Sequence, residues 1–142
     1  MTSHAREAVA DIARSWVGTP YRHHARVKGA GADCANLPVA VYSAAGLMPA
    51  IDLGVYAPDW MLHRSAERFL AVVQDWAKEI QLPGVGDLVV MRFGRTFSHG
   101  AIHVGGGQVV HAYIRAGAVV VGDLEEFKGR PMRYFTLFGV PR

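Results

Sequence analysis

The spacing of apolar residues changes from helical to strand-like near the middle of the chain. In the first half, apolar residues recur at intervals of three and four, which predicts helices over residues 5–17, 33–45 and 59–80. Beyond residue 82 the interval falls to two, which predicts strands over residues 87–93, 98–104, 108–114, 118–121 and 132–139. Helices followed by a run of strands are typical of an α+β fold. We therefore expect N-terminal helices packed on a C-terminal antiparallel β-sheet, in a single domain of residues 1–142.

Composition narrows the class of protein. With 51% hydrophobic and 19% charged residues in 142, the chain has enough apolar surface for one core, which excludes a disordered protein. It contains no apolar run of roughly 20 residues, so we expect no membrane insertion. The net charge of +3 is too small to indicate a nucleic-acid partner. Charges at Arg6, Glu7 and Asp11 lie where a signal peptide needs an uncharged segment, so we expect synthesis in the cytoplasm without a signal peptide.

The single cysteine, Cys34, is the first candidate for chemistry. It excludes an internal disulfide and any metal site built from paired cysteines. It follows Asp33 at the predicted start of the second helix, where amide N–H groups and the helix dipole favour a thiolate and lower the thiol pKa. One interpretation is therefore a catalytic nucleophile, and the other is a small buried apolar residue.

Three histidines lie on either side of three consecutive glycines. If Gly105, Gly106 and Gly107 all form the loop of a hairpin, paired residue numbers sum to 212 and His99, His103 and His111 fall on one face. The opposite face is then entirely apolar and consists of Ile102, Val104, Val110, Ala112 and Ile114. A two-glycine loop would mix polar and apolar residues on both faces, so the hydrophobic pattern favours the three-residue loop.

In this register His99 and His111 are diagonal neighbours, roughly 7–8 Å apart between Cα atoms. We expect a Cys34 thiolate beside His99 as general base, with His111 orienting the His99 ring. A zinc site is the alternative, because three histidines and a thiolate are suitable ligands. However, His99 and His103 are four residues apart on one strand, roughly 13 Å, which is awkward for a shared ion. We expect no metal and no cofactor.

Three ordered segments, residues 16–47, 82–91 and 98–113, resemble the NlpC-type family of papain-like cell-wall peptidases. The first contains W-V-G-T-P-Y and, after a glycine-rich loop, D-C. The second contains L-P-G-V-G-D, and the third S-H-G-A-I-H and V-H-A-Y. The resemblance implies a papain-like fold in which Cys34 is the nucleophile, His99 the base and His111 the orienting residue. It also implies that Tyr21 lines the cleft and that the Cys34 N–H helps to hold the oxyanion.

The same resemblance implies a substrate and a setting. Family members typically cleave peptidoglycan stem peptides, often between D-glutamate and diaminopimelate. The stretch R-V-K-G-A-G-A-D-C is similar to that of peptidases encoded among phage tail genes. It implies a virion tail component with tail hub or tip proteins as partners. A structural tail-tip protein that keeps the fold without using the site is the alternative, and a thiol-dependent acyltransferase is a further one.

The basic loop before Cys34 is a candidate substrate contact. Arg22 and Arg26 could hold the free carboxylates of a stem peptide by charge-assisted hydrogen bonds, although a solvated loop explains these charges equally simply. The sequence departs from the family pattern at Asn36, where glycine is usual, and at His103, where an aromatic residue is common. We expect Asn36 to reshape the cleft wall.

Overall fold

A computed structural model describes residues 3–54 and 67–141. Its helices are α1 (Ser3–Arg14), α2 (Asn36–Ala44) and α3 (Glu67–Trp76). Its strands are β1 (Arg26–Val27), β2 (Gly31–Ala32), β3 (Lys78–Ile80), β4 (Leu88–Phe93), β5 (Thr96–Gly105), β6 (Gln108–Tyr113), β7 (Ala118–Asp123) and β8 (Met132–Thr136). Strands β3 to β8 form one antiparallel sheet in the order β3-β8-β4-β5-β6-β7. The expected α+β architecture is confirmed.

The sheet is buried on both faces. Leu88 and Val90 of β4 pack with the helices in a large apolar cluster that also contains Val9 and Leu37. The alternate residues of β4 pack on the other face in a smaller cluster, which includes Val89, Met91, Phe93, Ala101, Val109 and Phe127. Because successive strand residues point to opposite faces, the near-continuous apolar run of β4 follows directly from this double burial.

The β5–β6 hairpin has the register predicted for its histidines but a shorter loop. Ile102 pairs with Val110 and His103 with Val109, as the 212 sum requires. Gly105 then pairs with Gln108, and a β-bulge between His103 and Gly105 supplies the extra residue. Gly106 and Gly107 alone form the turn. The three-glycine loop is therefore wrong, because the bulge preserves the facing of the histidines while the turn contains two residues.

A second bulge lies where β5 passes the turn that carries Cys34. Met91 pairs with His99 and Arg92 with Phe97, which leaves Ser98 without a partner on β4. Without a bulge, Phe97 and His99 would share a face. Instead Phe97 packs on the helix side of the sheet, and His99 stacks on Phe93 on the other side.

Close approach of α2 to β5 depends on Gly100. A Cβ atom at this position would come within 2.8 Å of Phe69 and Pro38 side-chain carbons and 3.1 Å of the Cys34 carbonyl oxygen. Both distances are shorter than ordinary contacts, so a side chain at this position would push the turn that carries Cys34 away from the strand. Pro38 itself lies in the first turn of α2, where its missing N–H needs no helical partner.

Three predictions need correction. The helix predicted over 59–80 is partly outside the described residues, and its end is wrong: residues from Lys78 form β3, the edge strand, because they pair with β8. Ile114, expected in the core, is exposed because a 3₁₀ turn (Ile114–Ala116) ends β6 before it. The stretch expected as a loop before Asp33 contains the small β1–β2 hairpin. None of the described helices is long and apolar enough to cross a bilayer.

Candidate active site

The carboxylate of Asp33 holds the turn that carries Cys34. Its Oδ1 accepts hydrogen bonds from the amides of Ala35 (3.2 Å) and Asn36 (2.8 Å), and its Oδ2 accepts from the amide of His24 (2.8 Å). These are the amides that a helix start leaves without intrahelical partners. Asp33 therefore fixes the turn that carries Cys34 just before α2, which begins at Asn36 and not at the predicted residue 33.

The thiol of Cys34 lies between Tyr21 and β5. Its side chain is only 5% exposed. The Tyr21 hydroxyl donates to Sγ at 3.9 Å, and the thiol donates to the Ser98 carbonyl oxygen at 3.8 Å. No hydrogen bond joins the thiol directly to a histidine within the described residues. The bulged residue Ser98 thus brings the strand that carries His99 into contact with Cys34.

Burial keeps this thiol protonated. The pKa of Cys34 is raised to about 12, mainly by burial and next by the nearby Asp33 carboxylate. The Tyr21 hydroxyl and the amides of Cys34 and Ala35 act in the opposite direction. The expectation that the helix start lowers the thiol pKa is therefore wrong, because the cost of removing a thiolate from water outweighs the favourable contribution of the amides.

His99 and His111 form a direct pair. The Nε2 of His99 lies 2.7 Å from the Nδ1 of His111, and the two rings are nearly perpendicular. Phe93 stacks on the His99 ring at 4.3 Å, and Tyr113 stacks on the His111 ring at 5.0 Å. The side chains are 3% and 1% exposed. The Nδ1 of His99 makes no hydrogen bond with another described residue.

Both imidazoles are neutral at pH 7. Burial lowers the pKa of His99 well below its usual value, and positive charge on His111 or Arg130 lowers it further. Burial also lowers the pKa of His111 to about 4, although the Glu126 carboxylate opposes this shift. The site therefore rests as a neutral thiol beside a neutral histidine pair.

Gly122 makes room for the orienting ring. Gly122 lies on β7, the strand next to the one that carries His111. A Cβ atom at Gly122 would lie 2.8 Å from the Nε2 of His111. Phe127 contacts the same ring edge-on at 5.4 Å. The His111 ring is thus fixed by a glycine on one side and aromatic rings around it.

His103 is occupied by backbone groups. Its Nδ1 donates to the Gly84 carbonyl (2.9 Å), and its Nε2 accepts from the Gly107 amide (3.2 Å). The ring ties the hairpin tip to the turn before β4. No group of three or more histidine, cysteine or acidic residues in the described ranges is arranged to hold a metal ion.

The arginines of the predicted basic loop differ in their contacts. Two guanidinium N–H groups of Arg26 donate to Asn36 Oδ1 (2.9 and 2.7 Å), and one also donates to the Ile51 carbonyl. Arg22 is exposed, donates to the Ala30 carbonyl (3.1 Å), and packs over Gly31. The contact with Arg26 explains how asparagine is accommodated at position 36. The predicted role of both arginines in binding substrate stays a prediction.

Several residues that build the site were missed by the sequence reasoning. Gly100 and Gly122 each remove a side chain at a close contact, and Phe93 provides the ring on which His99 stacks. A glycine inside a predicted strand was a usable signal, because it often marks close backbone approach. The role of Phe93 had no such signal, since the bulge that sets its facing is not visible in the apolar pattern.

Comparison with known proteins places the chain. The family profile described as NlpC/P60 family matches residues 18–131. No protein among those with curated functions matches significantly. The NlpC/p60 domain of the peptidoglycan hydrolase SagA is 22% identical, with a TM-score of 0.63 over 90% of this chain and 96% of that domain.

Two further solved structures have the same fold. An NLP/P60-family protein from Staphylococcus aureus, described as similar to lipoprotein, is 25% identical, with a TM-score of 0.59 over 87% of this chain and 37% of the other. RipD from Mycobacterium tuberculosis, described as a non-catalytic NlpC/p60 domain protein, is 17% identical, with a TM-score of 0.61 over 94% and 98%. These likenesses support the papain-like fold expected from the motifs. Since the family profile covers most of its length, the chain belongs to the NlpC/P60 family.

Proposed function

We propose that the chain is a thiol-dependent peptidase that hydrolyses peptidoglycan stem peptides at the bond between D-glutamate and diaminopimelate. The observation that carries the proposal is the 2.7 Å contact between His99 Nε2 and His111 Nδ1, which leaves His99 Nδ1 as the nitrogen able to take a proton. The thiol of Cys34 contacts the carbonyl of the residue immediately before that histidine. These two contacts support the proposal that Cys34 is the nucleophile, His99 the base and His111 the orienting group.

In the proposed reaction, Cys34 Sγ attacks the scissile carbonyl carbon and its proton moves to His99 Nδ1. The charged ring then donates its Nε2–H to His111, which accepts because burial keeps it neutral. The Cys34 amide N–H, which bonds to the Tyr21 oxygen in this structure, is the proposed donor to the oxyanion. The C–N bond breaks as His99 returns the proton to the leaving amine, and a water molecule then hydrolyses the thioester.

The low thiol reactivity of the closed state sets a requirement on the substrate. A thiol with a pKa of about 12 is almost entirely protonated at pH 7. Proton transfer to His99 therefore has to accompany attack, rather than precede it as in a preformed thiolate–imidazolium pair. Substrate must also reach a sulfur that is 5% exposed, past the Tyr21 hydroxyl.

We further propose that the protein acts as part of a phage or phage-like tail, made in the cytoplasm and carried in the virion with tail hub or tip proteins. The support is the resemblance of the segment from Arg26 to Cys34 to tail-encoded peptidases. The peptidoglycan hydrolase named among the similar structures supports the substrate class.

A catalytically unused structural protein is the second candidate. Two observations favour it: the raised thiol pKa and the similarity to RipD, a protein described as adapted to peptidoglycan binding. The two candidates differ in whether the intact protein turns substrate over.

The deciding experiment is mass spectrometry of muropeptides after incubation with purified protein. We expect two new products, one that ends in D-glutamate and one that begins with diaminopimelate. Neither should form with Cys34→Ala or after iodoacetamide treatment. Circular dichroism of the variant controls for folding. Cleavage that survives Cys34→Ala would refute the mechanism, and an absence of products from folded wild-type protein would favour the structural role.

A further inference from the structure

A cleft beside the histidine pair is lined by two arginines and no acidic residue. It holds about 330 Å³, within the range of small-molecule sites. It lies between the turn after β4, the segment after β6 and the segment before β8. Its lining residues are Phe93, Gly94, Tyr113, Ile114, Arg115 and Arg130.

Two walls of this cleft are the rings that hold the histidines. Phe93 stacks on His99 at 4.3 Å, and Tyr113 stacks on His111 at 5.0 Å. A group bound in the cleft is therefore separated from the base by the thickness of one aromatic ring. The cleft therefore borders the two rings that pack on the histidine pair.

Neither guanidinium group in the cleft forms an ion pair with a carboxylate in the described part of the chain. Arg130 lies 4.2 Å above the Phe93 ring and donates one N–H to the Arg92 carbonyl at 3.2 Å, which fixes its position. Arg115 forms no hydrogen bond or ion pair with any residue that the structure describes. Guanidinium groups bind carboxylates by paired, charge-assisted hydrogen bonds, and aromatic walls reduce competition from water.

We propose that this cleft binds a carboxylate of the leaving portion of the substrate. The argument rests on the proposed function: His99 returns its proton to the leaving amine, so the leaving portion lies on the side of that ring. In a stem peptide cut after D-glutamate, the leaving residue is diaminopimelate, whose side chain carries a carboxylate that lysine lacks. Arg115 and Arg130 therefore select diaminopimelate over lysine at this position.

The test measures binding in the absence of turnover. In Cys34→Ala protein, NMR titration with diaminopimelyl-D-alanine and with lysyl-D-alanine compares ligands that differ by that carboxylate. We expect the first to bind about tenfold more tightly, as a charge-assisted hydrogen bond implies. Adding Arg115→Ala or Arg130→Gln abolishes this preference. Arg95→Ala is the charge-matched control. Arg95 lies next to the lining residue Gly94 in the β4–β5 turn but does not line the cleft, so this variant should keep the preference for the diaminopimelate ligand.

Two results would overturn the assignment: equal affinity for the two dipeptides, or an effect of Arg95→Ala as large as that of Arg115→Ala. With an active enzyme, Arg115→Ala is expected to raise KM for diaminopimelate substrates with little change in kcat. Carboxylate binding without any hydrolysis by wild-type protein would refute the proposed reaction and support the cleft. Hydrolysis with no preference for diaminopimelate would support the reaction and refute the cleft.

Discussion

Strand β5 carries a buried histidine near each end, and the two rings have opposite environments. Both nitrogens of His103 are bonded to backbone groups of Gly84 and Gly107. Among the residues that the structure describes, His111 alone bonds a nitrogen of His99, and the flanking neighbour is the hydrocarbon ring of Phe93. A histidine whose two nitrogens are both bonded to backbone groups has none left to accept a proton from a thiol. The difference therefore separates a structural histidine from a candidate base on one strand and one face.

The largest expected effect comes from His99→Gln. Glutamine keeps a polar group near His111 but cannot take up the thiol proton, so we expect kcat/KM on muropeptides to fall about a thousandfold or more. The melting temperature should fall by only a few degrees, because the variant loses the bond to His111 and the stacking on Phe93 but keeps the rest of the core. A stopped reaction assay with product quantified by mass spectrometry measures the loss.

His103→Gln is the matched control from the other end of the strand. Removing a ring that bonds two backbone groups should lower the free energy of unfolding by about 1–3 kcal/mol. The kcat of the folded fraction should stay near that of wild type. Equal losses of activity in the two variants would contradict the distinction between the two histidines.

A smaller effect is expected when folding stability is measured against pH. His111 has a pKa of about 4 in the folded protein and 6.5 when unfolded, so the unfolded chain takes up the proton first as pH falls. The free energy of unfolding should therefore decrease from pH 6.5 to pH 4, by up to about 3 kcal/mol from this residue, and His99 acts in the same direction.

Urea denaturation of wild type and His111→Gln between pH 7 and pH 4 measures this contribution. The variant should show a flatter dependence on pH, because it has lost one of the two buried rings. Identical slopes in the two proteins would mean that His111 is charged or exposed in solution.

The smallest effect is expected for Gly122→Ala. The new methyl group would lie 2.8 Å from His111 Nε2, so the ring has to shift and its bond to His99 weakens. We expect a roughly tenfold loss in kcat, the scale of one weakened hydrogen bond. In a His111→Ala background the same substitution should cost nothing further, because the clashing atom is gone. A full additive loss in the double variant would exclude this explanation.

Much of the fold could be predicted from periodicity. Five of the six strands of the main sheet and the first helix are found close to their predicted places, and the register through Ile102 and His103 is as predicted. The edge strand β3 was missed because its three residues continue the apolar spacing of α3 and become a strand only by pairing with β8. Pairing between distant segments leaves no local signal.

The sequence predicted which residues form the candidate site better than it predicted their pKa values. The motifs indicated Cys34, Tyr21, His99 and His111, and the structure brings Tyr21 to the thiol and joins the two rings. The raised thiol pKa could not be predicted, because it depends on burial by the distant residues that cover Cys34. The bulge at Ser98 likewise depends on the register with β4.

The buried, protonated state of Cys34 also bears on how long the sulfur lasts. Peroxides and disulfides react with the thiolate at exposed positions, and this sulfur is neutral and 5% exposed. Oxidative inactivation should therefore be slow outside a reducing compartment. The burial that limits access of a peptide to Cys34 should therefore also protect the thiol from oxidation until substrate binds.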